Sequence, residues 1–382
     1  MTSMIIKRSI KSQVVEALGQ KKVIIIYGAR QVGKTTLVKE IIAEIPNSAY
    51  FSCDEPDVRE ALTNKTSTEM RAFIGGASTI VFDEAQRVTN IGLSLKLLHD
   101  SFPDLTIVAT GSSSFELANK IVEPLTGRNI SFTLYPISFN EYATTIGENE
   151  ARRLLNHRMI YGMYPAVINS QNPEQEIKLL TQDYLFKDLL AVETVRKPML
   201  IEKLAKLLAL QMGQEVSYRE LAQKLEVSSQ TITSYIKLLE QAFIVFRVSP
   251  LGKNPRNEIT RFEKIYFFDQ GIRNALIDNF GEIETRVDKG QIFEGFFITE
   301  RLKDYQITDR FTKQYFWRTK DGSEVDLIEE AKQKLTAYEC KFGQDKISTR
   351  AWQNSFPDVP VNLVNRTNIT DYLKTKVNIR FG

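Results

Sequence analysis

The amino-acid sequence predicts an α/β protein whose first part is built on a parallel β-sheet. Residues 23–27 are an uninterrupted apolar run, Val-Ile-Ile-Ile-Tyr, as a strand covered on both faces requires. A glycine-rich loop and an amphipathic helix follow this run directly. Further apolar strands at residues 79–83 and 105–109 alternate with helical segments, which indicates parallel strands in one sheet.

Composition restricts the class of protein. The chain has 382 residues, 42% of them hydrophobic and 25% charged, which favours two or three globular units over disorder. A formal charge of +3 is too small to indicate nucleic-acid binding by itself. The two cysteines, Cys53 and Cys340, predict neither a disulfide scaffold nor a zinc site.

Cellular location is predicted from the same features. Reduced thiols are typical of the cytoplasm. No run of about eighteen apolar residues occurs, and the N-terminus has no continuous apolar stretch. We therefore expect a cytoplasmic protein with no signal peptide, no membrane span and no membrane partner.

The loop at residues 28–35 has the spacing of a phosphate-binding loop, Gly-x-x-x-x-Gly-Lys-Thr, between a strand and a helix. Its glycines let backbone amides close on phosphates, and the helix N-terminus adds oriented N–H donors. An ordinary glycine turn would need neither the lysine nor the threonine. We expect ATP to bind through Gly28, Ala29, Arg30, Gln31, Val32, Gly33, Lys34, Thr35 and Thr36.

Within this loop, Lys34 is predicted to reach the β- and γ-phosphates, and Thr35 to hold Mg²⁺ through its hydroxyl. A second strand, residues 79–83, ends in Asp83 and Glu84, as a Walker B strand does. Asp83 would complete the Mg²⁺ site and Glu84 would orient or activate the attacking water. The alternative for these two carboxylates is a solvated acidic turn.

A third strand, residues 105–109, leads to small hydroxyl side chains at the same sheet edge. Thr110 and Ser112 are candidates for sensing the γ-phosphate or the water, although capping of the next helix explains them equally well. Arg128 follows Leu-Thr-Gly and could supply positive charge to the transferred phosphate, from the same chain or from a neighbouring subunit. A surface salt bridge is the alternative for Arg128.

Five segments resemble a family of bacterial and archaeal AAA-like ATPases, related to the STAND class, with a C-terminal domain of unknown function. They are Gly-Ala-Arg-Gln-Val-Gly-Lys-Thr-Thr-Leu at 28–37, Phe-Asp-Glu-Ala-Gln at 82–86, Thr-Gly-Ser-Ser at 110–113, Leu-Thr-Gly-Arg at 125–128 and Leu-Tyr-Pro-Ile-Ser-Phe at 134–139. The resemblance continues to the C-terminus. It implies an ATP-binding fold of the AAA or STAND type and no particular substrate.

The middle of the chain is predicted to be helical up to residue 212, as a lid that closes on nucleotide would be. Residues 214–249 then have helix-turn-helix spacing followed by a strand, which predicts a winged helix. On the second helix Ile232, Ile236 and Leu239 would face the core. The polar face of this helix would either contact DNA or serve as a packing and protein-docking surface, and both alternatives remain open. The residues of this face are Gln230, Thr231, Thr233, Ser234 and Lys237.

The C-terminal region carries an acidic set on a predicted helix and two strands. Glu339 and Lys341 share one face of their strand, because side chains alternate with period two. With Asp326 and Glu294 they resemble the restriction-endonuclease-like core. The three carboxylates could hold a second divalent metal for phosphodiester hydrolysis, with Lys341 steering the nucleophilic water. A catalytically silent binding module, or an exposed face with cross-strand ion pairs, is the alternative.

The sequence thus predicts four parts: a P-loop ATPase domain at 1–145, a helical lid at 146–212, a winged helix at 213–250 and a nuclease-like domain at 251–382. Our main hypothesis is an ATP-hydrolysing switch that acts on DNA. The alternative is a STAND-type signalling or scaffold ATPase, whose C-terminal half binds protein partners or a second copy.

Overall fold

The computed structural model describes residues 4–111, 124–183, 198–252, 262–308, 311–343 and 346–374. It contains two compact units. The N-terminal unit consists of residues 7–136 and 241–243, and the C-terminal unit takes the rest of the chain. Within the described ranges, no helix combines the length and apolar character needed to cross a lipid bilayer.

The N-terminal unit alternates strands with helices, as its sequence predicts. Its elements are α1 (Lys11–Leu18), β1 (Val23–Gly28), α2 (Lys34–Ile42), β2 (Ser48–Ser52), α3 (Pro56–Leu62), α4 (Ser67–Ile74), β3 (Thr79–Asp83), a 3₁₀ turn (Ala85–Arg87), α5 (Ile91–Ser101), β4 (Thr106–Gly111) and β5 (Asn129–Leu134).

The sheet of this unit has five parallel strands in the order β2-β3-β4-β1-β5. Every residue of β1 and β3 is buried, which explains their continuous apolar sequences. In register, Gly28 lies beside Leu134, and Ser52 lies beside Asp83. The carboxyl ends of the strands therefore meet at one edge, and the predicted parallel α/β sheet is confirmed.

The C-terminal unit begins with helices and continues into mixed α/β structure. Its elements are α6 (Phe139–Ile146), α7 (Glu148–Arg153), α8 (Leu155–Tyr161), α9 (Pro165–Asn169), α10 (Pro173–Asp183), α11 (Pro198–Leu210), β6 (Glu215–Val216), α12 (Tyr218–Leu225), α13 (Ser229–Gln241), β7 (Val245–Pro250), β8 (Glu263–Phe267), α14 (Gln270–Leu276), a 3₁₀ turn (Ile283–Thr285), α15 (Lys289–Thr308), β9 (Lys313–Arg318), β10 (Glu324–Ala331), β11 (Lys334–Cys340), α16 (Arg350–Ser355), β12 (Val361–Val364) and α17 (Ile369–Tyr372).

One seven-stranded sheet runs through this unit in the order β12-β11-β10-β9-β7-β8-β6. Strand β7 pairs antiparallel with β8 and parallel with β9. Backbone pairing therefore crosses residue 250, where the sequence suggested a boundary between the winged-helix and nuclease-like parts. Strands from both sides of residue 250 share one sheet, and both belong to the C-terminal one of the two units.

Helices α12 and α13 have the predicted helix-turn-helix order. Glu226, in the left-handed region at φ 54°, ends α12. The predicted core positions Ile232, Ile236 and Leu239 are buried, while Thr231 is only half-buried. Ser217 accepts the Glu220 amide at the start of α12, and Ser228 accepts the Thr231 amide at the start of α13. Both capping interactions follow the sequence pattern.

Candidate functional site

The phosphate-binding loop joins β1 to α2 at the carboxyl edge of the five-stranded sheet. A Cβ added at Gly28 would lie 2.3 Å from the carbonyl oxygen of Leu134, so only glycine fits this close approach of two strands. Gly33 has φ 96° and precedes the first residue of α2. The first helical bond runs from the Leu37 amide to the Gly33 carbonyl, so the amides of residues 34–36 precede the internal bonding of the helix.

Lys34 is buried at the start of α2, with 5% of its surface exposed. Its amine donates to the carbonyl oxygens of Gly28 at 3.1 Å and Ala29 at 2.8 Å. These acceptors belong to the loop itself, so the ammonium group is held inside the concave face of the loop. That is where a phosphate group would need a cation.

Asp83 is the centre of a hydrogen-bonded cluster at the end of β3. One of its carboxylate oxygens, Oδ2, accepts the hydroxyl of Thr35 at 2.6 Å and the hydroxyl of Tyr50 at 2.6 Å. The other oxygen, Oδ1, accepts the hydroxyl of Thr110. Strands β2, β3 and β4 and helix α2 each contribute one residue, so the predicted Walker B carboxylate is oriented from several sides.

Glu84 follows Asp83 in the left-handed region, at φ 54°, where β3 turns into the 3₁₀ segment. Its amide donates to the Thr110 hydroxyl at 3.1 Å, and its carboxylate accepts the side-chain amide of Gln86 at 2.5 Å. Thr110 thus accepts from Glu84 and donates to Asp83. The structure brings these three predicted residues together at one point of the sheet edge.

The donor set at this edge is chemically suited to Mg²⁺. The ion prefers hard oxygen ligands, and Thr35 and Asp83 supply a hydroxyl and a carboxylate oxygen that lie 2.6 Å apart. The pKa of Tyr50 is raised by burial and by its bond to Asp83, so its hydroxyl remains a donor. Burial and the nearby Asp83 carboxylate raise the pKa of the Cys53 thiol to about 12.

The remaining loop residues have different environments. Ala29 and Val32 are buried, Arg30 is half-buried, and Gln31 and Thr36 are exposed. Gln31 takes a left-handed conformation at φ 58°. Ser112, the other predicted sensor, lies outside the described residues.

Arg128 lies away from this cluster. It precedes β5, and it is the other end of that strand, at Leu134, that lies beside Gly28. The length of β5 places Arg128 about 20 Å from the loop edge of its own chain. Its guanidinium pairs with Asp100 at 2.8 Å. A role for Arg128 within its own site is therefore inconsistent with its position, and the neighbouring-subunit role remains a prediction.

Two residues near the loop were missed from the sequence. Tyr50 lies on β2, and only the parallel pairing of β2 with β3 brings its hydroxyl to Asp83. Arg8 donates to the carbonyl of Val32 at 2.7 Å and to that of Tyr135 at 2.7 Å. The apolar strand around Tyr50 is visible in the sequence, whereas no motif indicates Arg8.

In the C-terminal unit, the four predicted nuclease residues lie close together. The pKa of Asp326 is raised well above its ordinary value by burial and by Glu294 and Glu339, so these carboxyls are within electrostatic reach. One oxygen of Asp326 accepts the amide of Cys340 at 2.7 Å. The amine of Lys341 pairs with Glu339 at 2.8 Å. The predicted convergence of helix α15 with strands β10 and β11 is therefore present.

A fifth residue, Lys264 of β8, also enters this cluster. It is 2% exposed, and its amine lies 3.2 Å from Glu294 and in direct contact with Glu324. Burial acts to lower the pKa of Lys264, but Glu294, Asp326 and Glu324 raise it above its ordinary value. Across the described ranges, no group of three or more His, Cys, Asp or Glu is arranged to hold a metal ion.

Comparisons with known proteins match three successive parts of the chain. Residues 20–143 match a family described as an AAA domain. Residues 152–282 and 289–367 match two families described as domains of unknown function, DUF8612 and DUF4143.

Two relatives and one solved structure extend this similarity. An uncharacterised protein of Mycobacterium tuberculosis is 27% identical over 357 residues, which cover 92% of this chain and 78% of the relative. One from Methanocaldococcus jannaschii is 24% identical, covering 91% of this chain and 82% of the relative. A Walker-type ATPase of Pyrococcus abyssi shares the fold, with a TM-score of 0.50 and 15% identity over 71% of this chain and 96% of that one. The N-terminal unit thus carries an AAA-type P-loop ATPase domain, and an α/β region follows it.

Proposed function

We propose that the protein binds ATP with Mg²⁺ at the loop of the N-terminal unit and hydrolyses it there. The observation that carries this proposal is the direct bond between Thr35 of the loop and Asp83 of β3. A P-loop threonine and a Walker B aspartate in contact are the pair that holds Mg²⁺ in such enzymes. Glu84 lies next to them at the same sheet edge.

Each loop group then has a defined task. Lys34 exchanges its two carbonyl acceptors in the loop for oxygens of the β- and γ-phosphates. Thr35 and Asp83 hold Mg²⁺, which neutralises charge on the phosphates during the reaction. The amides at the start of α2 donate to the phosphate oxygens, where the helix dipole also favours negative charge.

Hydrolysis needs a group that positions water, and we assign this role to Glu84. The water oxygen bonds to the γ-phosphorus while the bond to the β–γ bridging oxygen breaks, and ADP leaves with that electron pair. Glu84 accepts the water proton. Thr110 keeps Glu84 and Asp83 in register, because it bonds to the backbone of the first and the carboxylate of the second.

Two variants test the proposal. We expect Lys34→Ala to lose ATP binding, measured with a fluorescent ATP analogue. Glu84→Gln should keep binding and lose phosphate release by about 100-fold or more. Lys22→Ala, an exposed lysine just before β1, is the control and should behave as wild type. Unchanged turnover in both site variants would refute the assignment.

The use of this ATP is proposed from the C-terminal unit. The exposed side chains of α13 include Gln230, Thr233, Ser234 and Lys237, and a polar helix face of this kind supports contact with a partner. Exposed charge on α12, α13 and the turn between them is nearly balanced, with cations at Arg219, Lys224 and Lys237 and acids at Glu220 and Glu226. Because phosphate contacts dominate DNA affinity, this balance favours a protein partner or a second copy over DNA.

DNA contact by the helix-turn-helix remains the second candidate, supported by the order and capping of α12 and α13. Fluorescence anisotropy with labelled duplex DNA distinguishes the two. We expect weak binding that Lys237→Glu leaves within about threefold, since one exposed cation contributes one phosphate contact at most. Tight binding that Lys237→Glu abolishes would favour the DNA-acting switch instead. Light scattering with ADP and with ATP tests self-association.

A further inference from the structure

Lys264 is the feature of the C-terminal unit that neither the ATPase assignment nor the helix-turn-helix uses. It lies on β8, yet its amine reaches Glu294 on α15 and Glu324 on β10. The side chain also passes over the ring of Phe316 on β9, 5.3 Å from its centre. One buried cation thus contacts a helix and two further strands of the seven-stranded sheet.

This cation lies beside two of the carboxyls that would bind a metal: its amine contacts Glu294 and is within electrostatic reach of Asp326. Oxygen Oε1 of Glu294 already accepts the hydroxyl of Tyr266 at 2.5 Å and the amine of Lys264 at 3.2 Å. To bind a metal through Oε1, Glu294 would have to give up these donors. The acidic helix residue of the cluster is thus bonded to neighbouring donors of β8.

One buried carboxylate oxygen would favour a further cation in this cluster. Oxygen Oε2 of Glu339 is buried and accepts no hydrogen bond from the described residues. A proton shared with the nearby Asp326 carboxyl would satisfy it, as carboxyls in one buried site commonly do. A divalent ion shared with Asp326 would lie within electrostatic reach of the Lys264 ammonium group, and the two cations would repel each other.

We infer that Lys264 takes the place of a divalent metal in this cluster, so that α15 and strands β8 and β10 are joined by an internal ammonium group. An ammonium group neutralises carboxylates but does not lower the pKa of a bound water as a metal does. At 2% exposure Lys264 is also closed to a phosphate group. The cluster is then a structural junction in a module that binds and does not cleave.

The inference is tested by metal binding in a Lys34→Ala background, in which ATP-linked Mg²⁺ binding is removed. Mn²⁺ binding is measured by electron paramagnetic resonance and by thermal unfolding. We expect the Lys34→Ala protein to bind no Mn²⁺ that is lost when Asp326 is replaced. Replacing the cation with Lys264→Gln should lower the melting temperature, and Mn²⁺ should recover about half of that loss, since a ligand of the folded state alone stabilises it. Adding Asp326→Asn should abolish the recovery.

Lys303→Gln is the matched control, because Lys303 is also a buried lysine, paired with Glu300 at 2.6 Å outside the cluster. It should lose stability without recovery by Mn²⁺. If Lys264→Gln behaves in the same way, Lys264 is an ordinary ion pair and the inference is overturned. If Lys264→Gln does not fold, the Lys34→Ala protein is compared with the same protein carrying Asp326→Asn. The inference is overturned if Lys34→Ala binds one Mn²⁺, or cleaves plasmid DNA, and the added Asp326→Asn removes that binding or cleavage. It is supported if Lys34→Ala shows neither.

Discussion

The hydroxyl of Tyr50 donates to the same oxygen of Asp83 that the hydroxyl of Thr35 contacts, and both distances are 2.6 Å. Tyr50 belongs to β2 and Asp83 to β3, so the neighbouring strand orients the carboxylate. The amine of Lys39 lies 4.7 Å from the centre of the Tyr50 ring and holds that ring from the side of α2. The geometry makes Tyr50 a positioning residue for the proposed Mg²⁺ site.

We expect Tyr50→Phe to raise the Mg²⁺ concentration needed for half-maximal ATP hydrolysis by about tenfold, because a hydrogen bond to a charged group is worth about 1.5 kcal/mol or more. The rate at saturating Mg²⁺ should change much less. Tyr27→Phe, which removes a hydroxyl from β1, serves as the control. Equal Mg²⁺ requirements in wild type and Tyr50→Phe would contradict the positioning role.

The contact between Gly28 and Leu134 leads to a prediction for stability. Gly28→Ala would place a Cβ 2.3 Å from a backbone oxygen, so β1 and β5 must separate. We expect the melting temperature to fall by roughly 5 °C or more, with loss of ATP binding. At Gly76, an added Cβ meets no described atom within 4 Å, so Gly76→Ala should unfold within about 2 °C of wild type in the same thermal scan. Similar scans for both variants would argue against this packing.

The position of Arg128 predicts a normal rate for a single site. At high dilution, Arg128→Ala should hydrolyse ATP within about twofold of wild type, because its guanidinium is about 20 Å from the loop of its own chain. A role in a neighbouring subunit would appear only as the protein concentration rises. Steady-state phosphate release across a dilution series measures this. A large loss at every concentration would contradict the structure.

His157 predicts part of the pH dependence of stability. Burial and the adjacent Arg158 lower its pKa to about 4, and Arg158 donates to Nδ1 of the ring. His157 therefore becomes protonated near pH 6.5 in the unfolded chain, but only near pH 4 in the folded protein. The free energy of unfolding should decrease as the pH falls through this window. Below the window, His157 should cause no further change.

His157→Gln should reduce this slope, measured as the free energy of unfolding in urea between pH 6.5 and pH 4. His99→Gln is the control, since it changes the other histidine, in the N-terminal unit. An unaltered slope in His157→Gln would remove His157 as its source.

Much of the N-terminal unit could be predicted from local sequence. An apolar strand, a glycine loop and an amphipathic helix define their own order, and the carboxyl ends of parallel strands must meet. The loop, Asp83, Glu84 and Thr110 therefore lie where the pattern indicates. Tyr50 and Arg8 escaped prediction because their contacts depend on strand order and on chain segments far apart in sequence.

In the C-terminal unit, less of the structure could be predicted from local sequence. Local patterns identified α12, α13, helix α15 with Glu294, and strands β10 and β11 with Asp326 and Glu339. Lys341 directly follows β11, and the structure brings these four residues together. They did not indicate that β7 pairs with β9, or that Lys264 on β8 enters the acidic cluster. Strand pairing between distant segments has no local signature.

The phosphate-binding loop and the parallel sheet around it were determined by the sequence itself, because glycine spacing and apolar periodicity act over a few residues. The tertiary structure alone decided which groups orient Asp83, which sheet edge carries Arg128 and which cation lies among the C-terminal carboxylates. Those relationships are contacts between side chains far apart in the chain, and they exist only once the sheets have formed.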